Sequence, residues 1–103
     1  MRVPFLDLRI GKEESANLLE AISRVFKHGK LVMGPEVEEC ESLIAEYCNR
    51  KYAISVNSGT DALFTALRAI DISFPHEVIT SSLSWIATAN AITMCGATPV
   101  FAD

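Results

Sequence analysis

The chain has 103 residues, half of them hydrophobic, with a net charge of −4, which is material for one small domain. Its 9 Lys and Arg stand against 13 Asp and Glu, so no basic stripe exists to neutralise a phosphate backbone, and nucleic acid is not an expected partner. No apolar run approaches the roughly 20 residues that span a bilayer, so no membrane partner is expected either.

The N-terminal segment carries one Arg and a short mixed stretch, Val3-Pro4-Phe5-Leu6-Asp7, too broken for a signal peptide. The first predicted helix runs from about Lys12 to Lys27. Leu18, Leu19, Ile22, Val25 and Phe26 recur at helical spacing, Glu13, Glu14 and Glu20 face away, and Gly29 follows as a stop. Lys27, His28 and Lys30 form the densest positive cluster, at the end of a helix where cations complement the macrodipole. A turn at Met33-Gly34-Pro35 leads to a second helix from about Glu36 to Cys48, with Val37, Cys40, Ile44 and Tyr47 as its apolar stripe. Cys40 and Cys48 are expected to be buried, and with Cys95 they form an odd set without metal-ligand spacing. Reduced thiols fit a cytoplasmic protein.

Beyond residue 50 the pattern changes. Tyr52-Ala53-Ile54-Ser55-Val56 reads as a strand, and Asn57-Ser58-Gly59 as a turn. A helix follows from Asp61 to Ile70, then a strand at Glu77-Val78-Ile79-Thr80 and a helix from Ser84 to Met94. Gly96-Ala97-Thr98 turns into a last strand, Pro99-Val100-Phe101-Ala102. The expected organisation is an α/β fold: a helical segment over residues 1–50, then a βαβαβ unit with a parallel sheet over residues 51–103. A central parallel strand normally has neighbours on both sides, so a chain ending directly after a strand is expected to be a truncated domain.

Ligands of open α/β sheets collect at the carboxyl ends of the strands. There the sequence places Ser58-Gly59-Thr60-Asp61. Gly59 offers a turn without a Cβ, and the first amides of the helix that follows lack intrahelical partners, so they can hold a phosphate together with the Ser58 and Thr60 hydroxyls. Alternatively, Ser58 or Thr60 caps the helix. Asp61 would repel a phosphate unless its side chain turns back toward the helix. Trp85, the sole tryptophan, faces the same crevice and suits stacking on a flat heteroaromatic ring, or packs in the core between helix and sheet.

Val3-Pro4-Phe5-Leu6-Asp7-Leu8, Gly34-Pro35-Glu36-Val37-Glu38, Ser58-Gly59-Thr60-Asp61-Ala62-Leu63, Glu77-Val78-Ile79-Thr80 and Gly96-Ala97-Thr98-Pro99-Val100-Phe101 occur in this order. Together they resemble the start of the DegT/DnrJ/EryC1/StrS family, the pyridoxal-phosphate-dependent sugar aminotransferases of the aspartate-aminotransferase fold (fold type I). The resemblance implies pyridoxal 5'-phosphate as cofactor, with its phosphate on the Ser58-Gly59-Thr60-Asp61 turn, chiefly on the Thr60 and Asp61 amides, and Trp85 stacked on its ring. It further implies an amino donor, glutamate, a nucleotide-linked keto sugar as acceptor, and a homodimer. The lysine that bonds the cofactor and the aspartate that pairs with its pyridine nitrogen lie later in such sequences. Lys12, Lys27, Lys30 and Lys51 do not fit that role, so no catalytic residue is assigned. A dehydratase of the same fold, or a non-catalytic truncated or regulatory relative, is the alternative. The family pattern is altered at Ser73-Phe74-Pro75-His76, where His76 is expected to be a loop residue.

Overall fold

Six regular elements follow one another in the computed structural model, which describes residues 5–103; Val3 and Pro4 of the first motif lie outside the described residues. They are α1 (Lys12–His28), α2 (Pro35–Tyr47), α3 (Gly59–Ala69), β1 (Glu77–Ser81), α4 (Ala87–Met94) and β2 (Thr98–Ala102). The chain forms two compact units that meet in sequence at Ile54 and Ser55.

In the first unit, α1 begins with Glu13 and Glu14 in its first turn and ends with Lys27 and His28 in its last, each charge complementing the nearer helix end. It stops at Gly29, whose φ of 69° lies in the left-handed region that glycine enters without a Cβ penalty. The Gly29 N–H closes on the Val25 carbonyl at 2.9 Å. After a short turn, Gly34 caps α2 and Pro35 takes the first helical position, where its missing N–H costs nothing.

Two features tie this turn together. Gly34 is buried, and a Cβ there would sit 2.7 Å from the Lys30 carbonyl oxygen. His28 Nε2 lies 3.0 Å from Glu36 Oε1, bridging the end of α1 to the start of α2. The His28 hydrogen bond, helped by a hydrogen bond to the Glu36 backbone and the charge of Arg24, holds the Glu36 carboxyl below its ordinary range. The expected burial of Cys40 and Cys48 is not found. Both are exposed, because α2 buries only Ala45 within this unit and leaves its Ile44 and Tyr47 side open.

In the second unit β1 and β2 run parallel, with Ile79 opposite Val100 and Thr80 opposite Phe101. Parallel neighbours need a crossover, and α4 supplies it. Its inner side carries the unit's core: Ala91 and Ile92 are 0% and 2% exposed, and Cys95 and Ala97 are also buried. Cys95 Sγ reaches the Phe64 carbonyl of α3 at 3.8 Å, so α3 lies along α4, which in turn packs on both strands.

The parallel α/β class therefore stands, with one difference. Residues 52–56, expected to be the first strand, form no ladder, and the sheet among the described residues has two strands. A β-branched and aromatic run has only a propensity to pair; a strand exists when a neighbour supplies the N–H and C=O groups. Before β1, the His76 N–H closes on the Ser73 carbonyl at 2.8 Å and the Ser73 N–H donates to His76 Nδ1 at 3.2 Å, so His76 is a turn residue.

Gly34→Ala should destabilise the first unit by about 1–3 kcal/mol, since the Lys30 carbonyl must move. Gly11→Ala, where a Cβ meets nothing within 4 Å, is the control. Denaturant titration with equal midpoints for both variants would contradict the close approach. For the His28–Glu36 bridge, the folded pKa of Glu36 lies below its unfolded value. Its contribution is thus present above the ordinary carboxylate range and lost as pH falls through the folded value. The melting-temperature difference between the native chain and Glu36→Gln should shrink steadily between about pH 5 and about pH 2. A difference independent of pH would show that the carboxylate contributes nothing.

Candidate functional site

The start of α3 is built by Ser58. Its backbone is extended, at φ −159° and ψ 160°, and its Oγ accepts the Asp61 N–H at 3.1 Å. The first main-chain bond of the helix runs from the Ala62 N–H to the Ser58 carbonyl at 3.0 Å. Of the first three amides, one is thus satisfied by the cap, while those of Gly59 and Thr60 have no partner among the described residues. Ser58 is therefore a helix cap, and its own hydroxyl hydrogen remains able to donate.

Gly59 serves differently from the expectation. It is the first helical residue rather than a left-handed turn, so freedom of φ is not its use. A Cβ there would meet nothing within 4 Å. Bare backbone with open space before it lets a ligand oxygen come close to two free N–H groups at the positive end of a helix. This donor set fits an anion such as a phosphate monoester. The Asp61 amide, expected to share the load, is already used by Ser58.

The second segment leaves β1 at Ser81, whose Oγ accepts the Leu83 N–H at 3.1 Å. Ser84 Oγ lies 2.9 Å from Thr88 Oγ1, and the Thr88 N–H donates to the Trp85 carbonyl at 3.0 Å. α4 consequently starts at Ala87 and not at Ser84, and Trp85 precedes the helix instead of opening it. The indole is 79% exposed, so within this unit it is not a core residue. It borders a shallow concavity at the carboxyl ends of both strands, together with Ser81, Ser84, Thr88 and Phe101. The Ser58–Asp61 turn does not line that concavity, so the structure presents the amide cradle and the aromatic plane as two features of one unit. Ser84 lies in the segment expected at this edge, whereas Thr88 and Phe101 were not expected there; hydroxyls four residues apart astride an aromatic were the available signal.

None of the lysines is in the second unit. Lys12, Lys27, Lys30 and Lys51 all precede Ile54, and Lys51 Nζ stands 5.0 Å from the centroid of the Tyr52 ring.

Comparison with known proteins gives this geometry a context. The dTDP-3-amino-3,4,6-trideoxy-alpha-D-glucose transaminase of Streptomyces venezuelae is 47% identical over 100 residues, covering 96% of this chain and 26% of that protein. Among solved structures, S. venezuelae DesV in complex with a ketimine intermediate superposes with a TM-score of 0.90 at 46% identity, over 97% of this chain and 27% of that one. NtdA from Bacillus subtilis with bound cofactor PMP also gives 0.90, at 33% identity, over 97% of this chain and 23% of that one. This chain has the fold of those enzymes over the part it covers, and it spans about a quarter of the length of the curated relatives it matches. The profile of the DegT/DnrJ/EryC1/StrS aminotransferase family matches residues 12–103, and the chain belongs to that family.

Proposed function

We propose that this chain is the N-terminal part of a pyridoxal-phosphate-dependent aminotransferase that moves an amino group from glutamate to a nucleotide-linked keto sugar. The observation that carries the reading is the pair of amides at the start of α3, Gly59 and Thr60, that have no partner among the described residues, with open space where a Gly59 Cβ would stand. Family membership and the transaminase relatives supply the substrate class.

The cofactor phosphate sits on the Gly59 and Thr60 N–H groups, with the Ser58 and Thr60 hydroxyls adding donors. Ser58 also holds the cradle's shape, because its Oγ fixes the Asp61 amide and with it the first turn. Asp61 at the third helical position complements the macrodipole and belongs to the frame of the site. Trp85 offers its exposed face to the pyridine ring. When bound, pyridoxal phosphate supplies the electron sink through which the amino group is relayed. The reading assigns no catalytic residue among residues 5–103; the cofactor-bonding lysine belongs to another part of the enzyme.

A homodimeric, cytoplasmic enzyme completes the proposal. Three thiols without a disulfide support the compartment, and among the described residues no helix is long and apolar enough to cross a membrane. The acidic balance supports the absence of a nucleic-acid partner.

The enzyme that contains this chain should convert nucleotide-linked keto sugars to amino sugars with glutamate, and only with pyridoxal phosphate present. Gly59→Pro isolates the cradle. Proline suits the first helical position after an extended residue, so the helix remains, while one phosphate donor is lost. Affinity for pyridoxamine phosphate should fall about 10- to 100-fold, the worth of one hydrogen bond to a charged group, with helical content unchanged. Unaltered affinity in that variant, or no amino transfer across a panel of such sugars, would refute the reading.

A further inference from the structure

We propose that Thr88 is a positioning residue that clamps the Trp85 loop and so presets where the indole projects toward the cofactor ring; the inference rests on the functional reading above and deepens it. Thr88 bonds both the residue before the indole and the indole residue itself. Its side-chain hydroxyl lies 2.9 Å from the hydroxyl of Ser84, just before Trp85, and its backbone N–H donates to the carbonyl of Trp85 itself at 3.0 Å.

An ordinary helix cap does not account for this. The residue flanking the start of α4 is Ile86, which makes no side-chain cap, and Ser84 spends its Oγ on the Thr88 hydroxyl instead of on a free amide of the helix. The loop is anchored at its other end too, by the Ser81 Oγ that accepts the Leu83 N–H. Backbone restraint matters here because the indole is 79% exposed and packing cannot hold it. A stacking platform that swings freely must be ordered when its ligand binds, and that cost weakens binding. A platform whose backbone is fixed by Thr88 avoids part of it. Thr88 itself lines the concavity that Trp85 and Phe101 also border, so the clamp lies within the site it would order.

Trp85 is the sole tryptophan, so indole signals from the 103-residue chain report this loop alone. Thr88→Val keeps the shape and removes the hydroxyl; Thr88→Ser keeps the hydroxyl. In the ligand-free chain, Thr88→Val should lose near-UV circular dichroism from the indole, with far-UV signal unchanged, and Thr88→Ser should restore it. Affinity for pyridoxamine phosphate, read by quenching of Trp85, should fall about five-fold in Thr88→Val and recover in Thr88→Ser. Indole signals and affinity in Thr88→Val equal to those of the native chain would overturn the clamp. If Thr88→Val unfolds, Ser84→Ala decides by the same signals: their loss supports the clamp and their persistence overturns it. Failure of the enzyme that contains this chain to bind pyridoxamine phosphate would strike the functional reading, while the ligand-free spectra of the chain still judge the clamp.

Discussion

A single hydrogen bond, from the Asp61 N–H to Ser58 Oγ, sets the character of this chain's candidate site. It closes the first turn of α3 and in doing so divides the helix's leading amides into one that is satisfied and two that are not. Without the cap the turn would fray and its donors would scatter into solvent. With it, the Gly59 and Thr60 N–H groups point from a fixed frame, and the missing side chain of Gly59 keeps the approach open. Cap and open amides are thus one arrangement, in which the residue that stabilises the helix also sets which of its leading amides is taken.

The rest of the second unit serves the placement of this frame. α4 carries the buried apolar residues and is the crossover that makes the two strands parallel, which brings their carboxyl ends, and the loop after β1, to one edge. At that edge the chain uses small hydroxyl residues rather than apolar packing. Ser81 fixes the first bend of the loop, and the Ser84–Thr88 pair fixes the second. Such bonds hold a backbone without covering the aromatic face beside it, so Trp85 stays available. The Asn57-to-Asp61 turn and the Ser81-to-Ile86 loop share one logic: local polar bonds order the main chain and leave the amides of Gly59 and Thr60 and the indole of Trp85 uncovered within the unit.

Much of this was legible in the residues. The α1 period, its Gly29 stop, the α2 start at Gly34-Pro35 and the two ladder strands follow from local chemistry, and they occur where that chemistry put them to within a residue or two. The cap and the open amides at the start of α3 were legible for the same reason, since they are properties of consecutive residues. What failed depends on partners that spacing alone does not reveal. Tyr52–Val56 has strand composition but pairs into no ladder, and Cys40 and Cys48 lie on an apolar stripe that nothing in their unit covers. Trp85-Ile86 reads as helix by hydrophobic period, yet the Thr88 N–H takes the Trp85 carbonyl and the helix begins two residues later. Gly59 opens α3 without a left-handed φ, so of the turn and the missing Cβ expected of it only the open space remains.

Amide-resolved NMR during titration with pyridoxamine phosphate tests the cradle most directly. The account predicts saturable downfield movement of the Gly59 and Thr60 N–H resonances, while the Asp61 amide, held by Ser58, moves little. Binding that left Gly59 and Thr60 unmoved, or that acted chiefly on amides elsewhere in the chain, would contradict it.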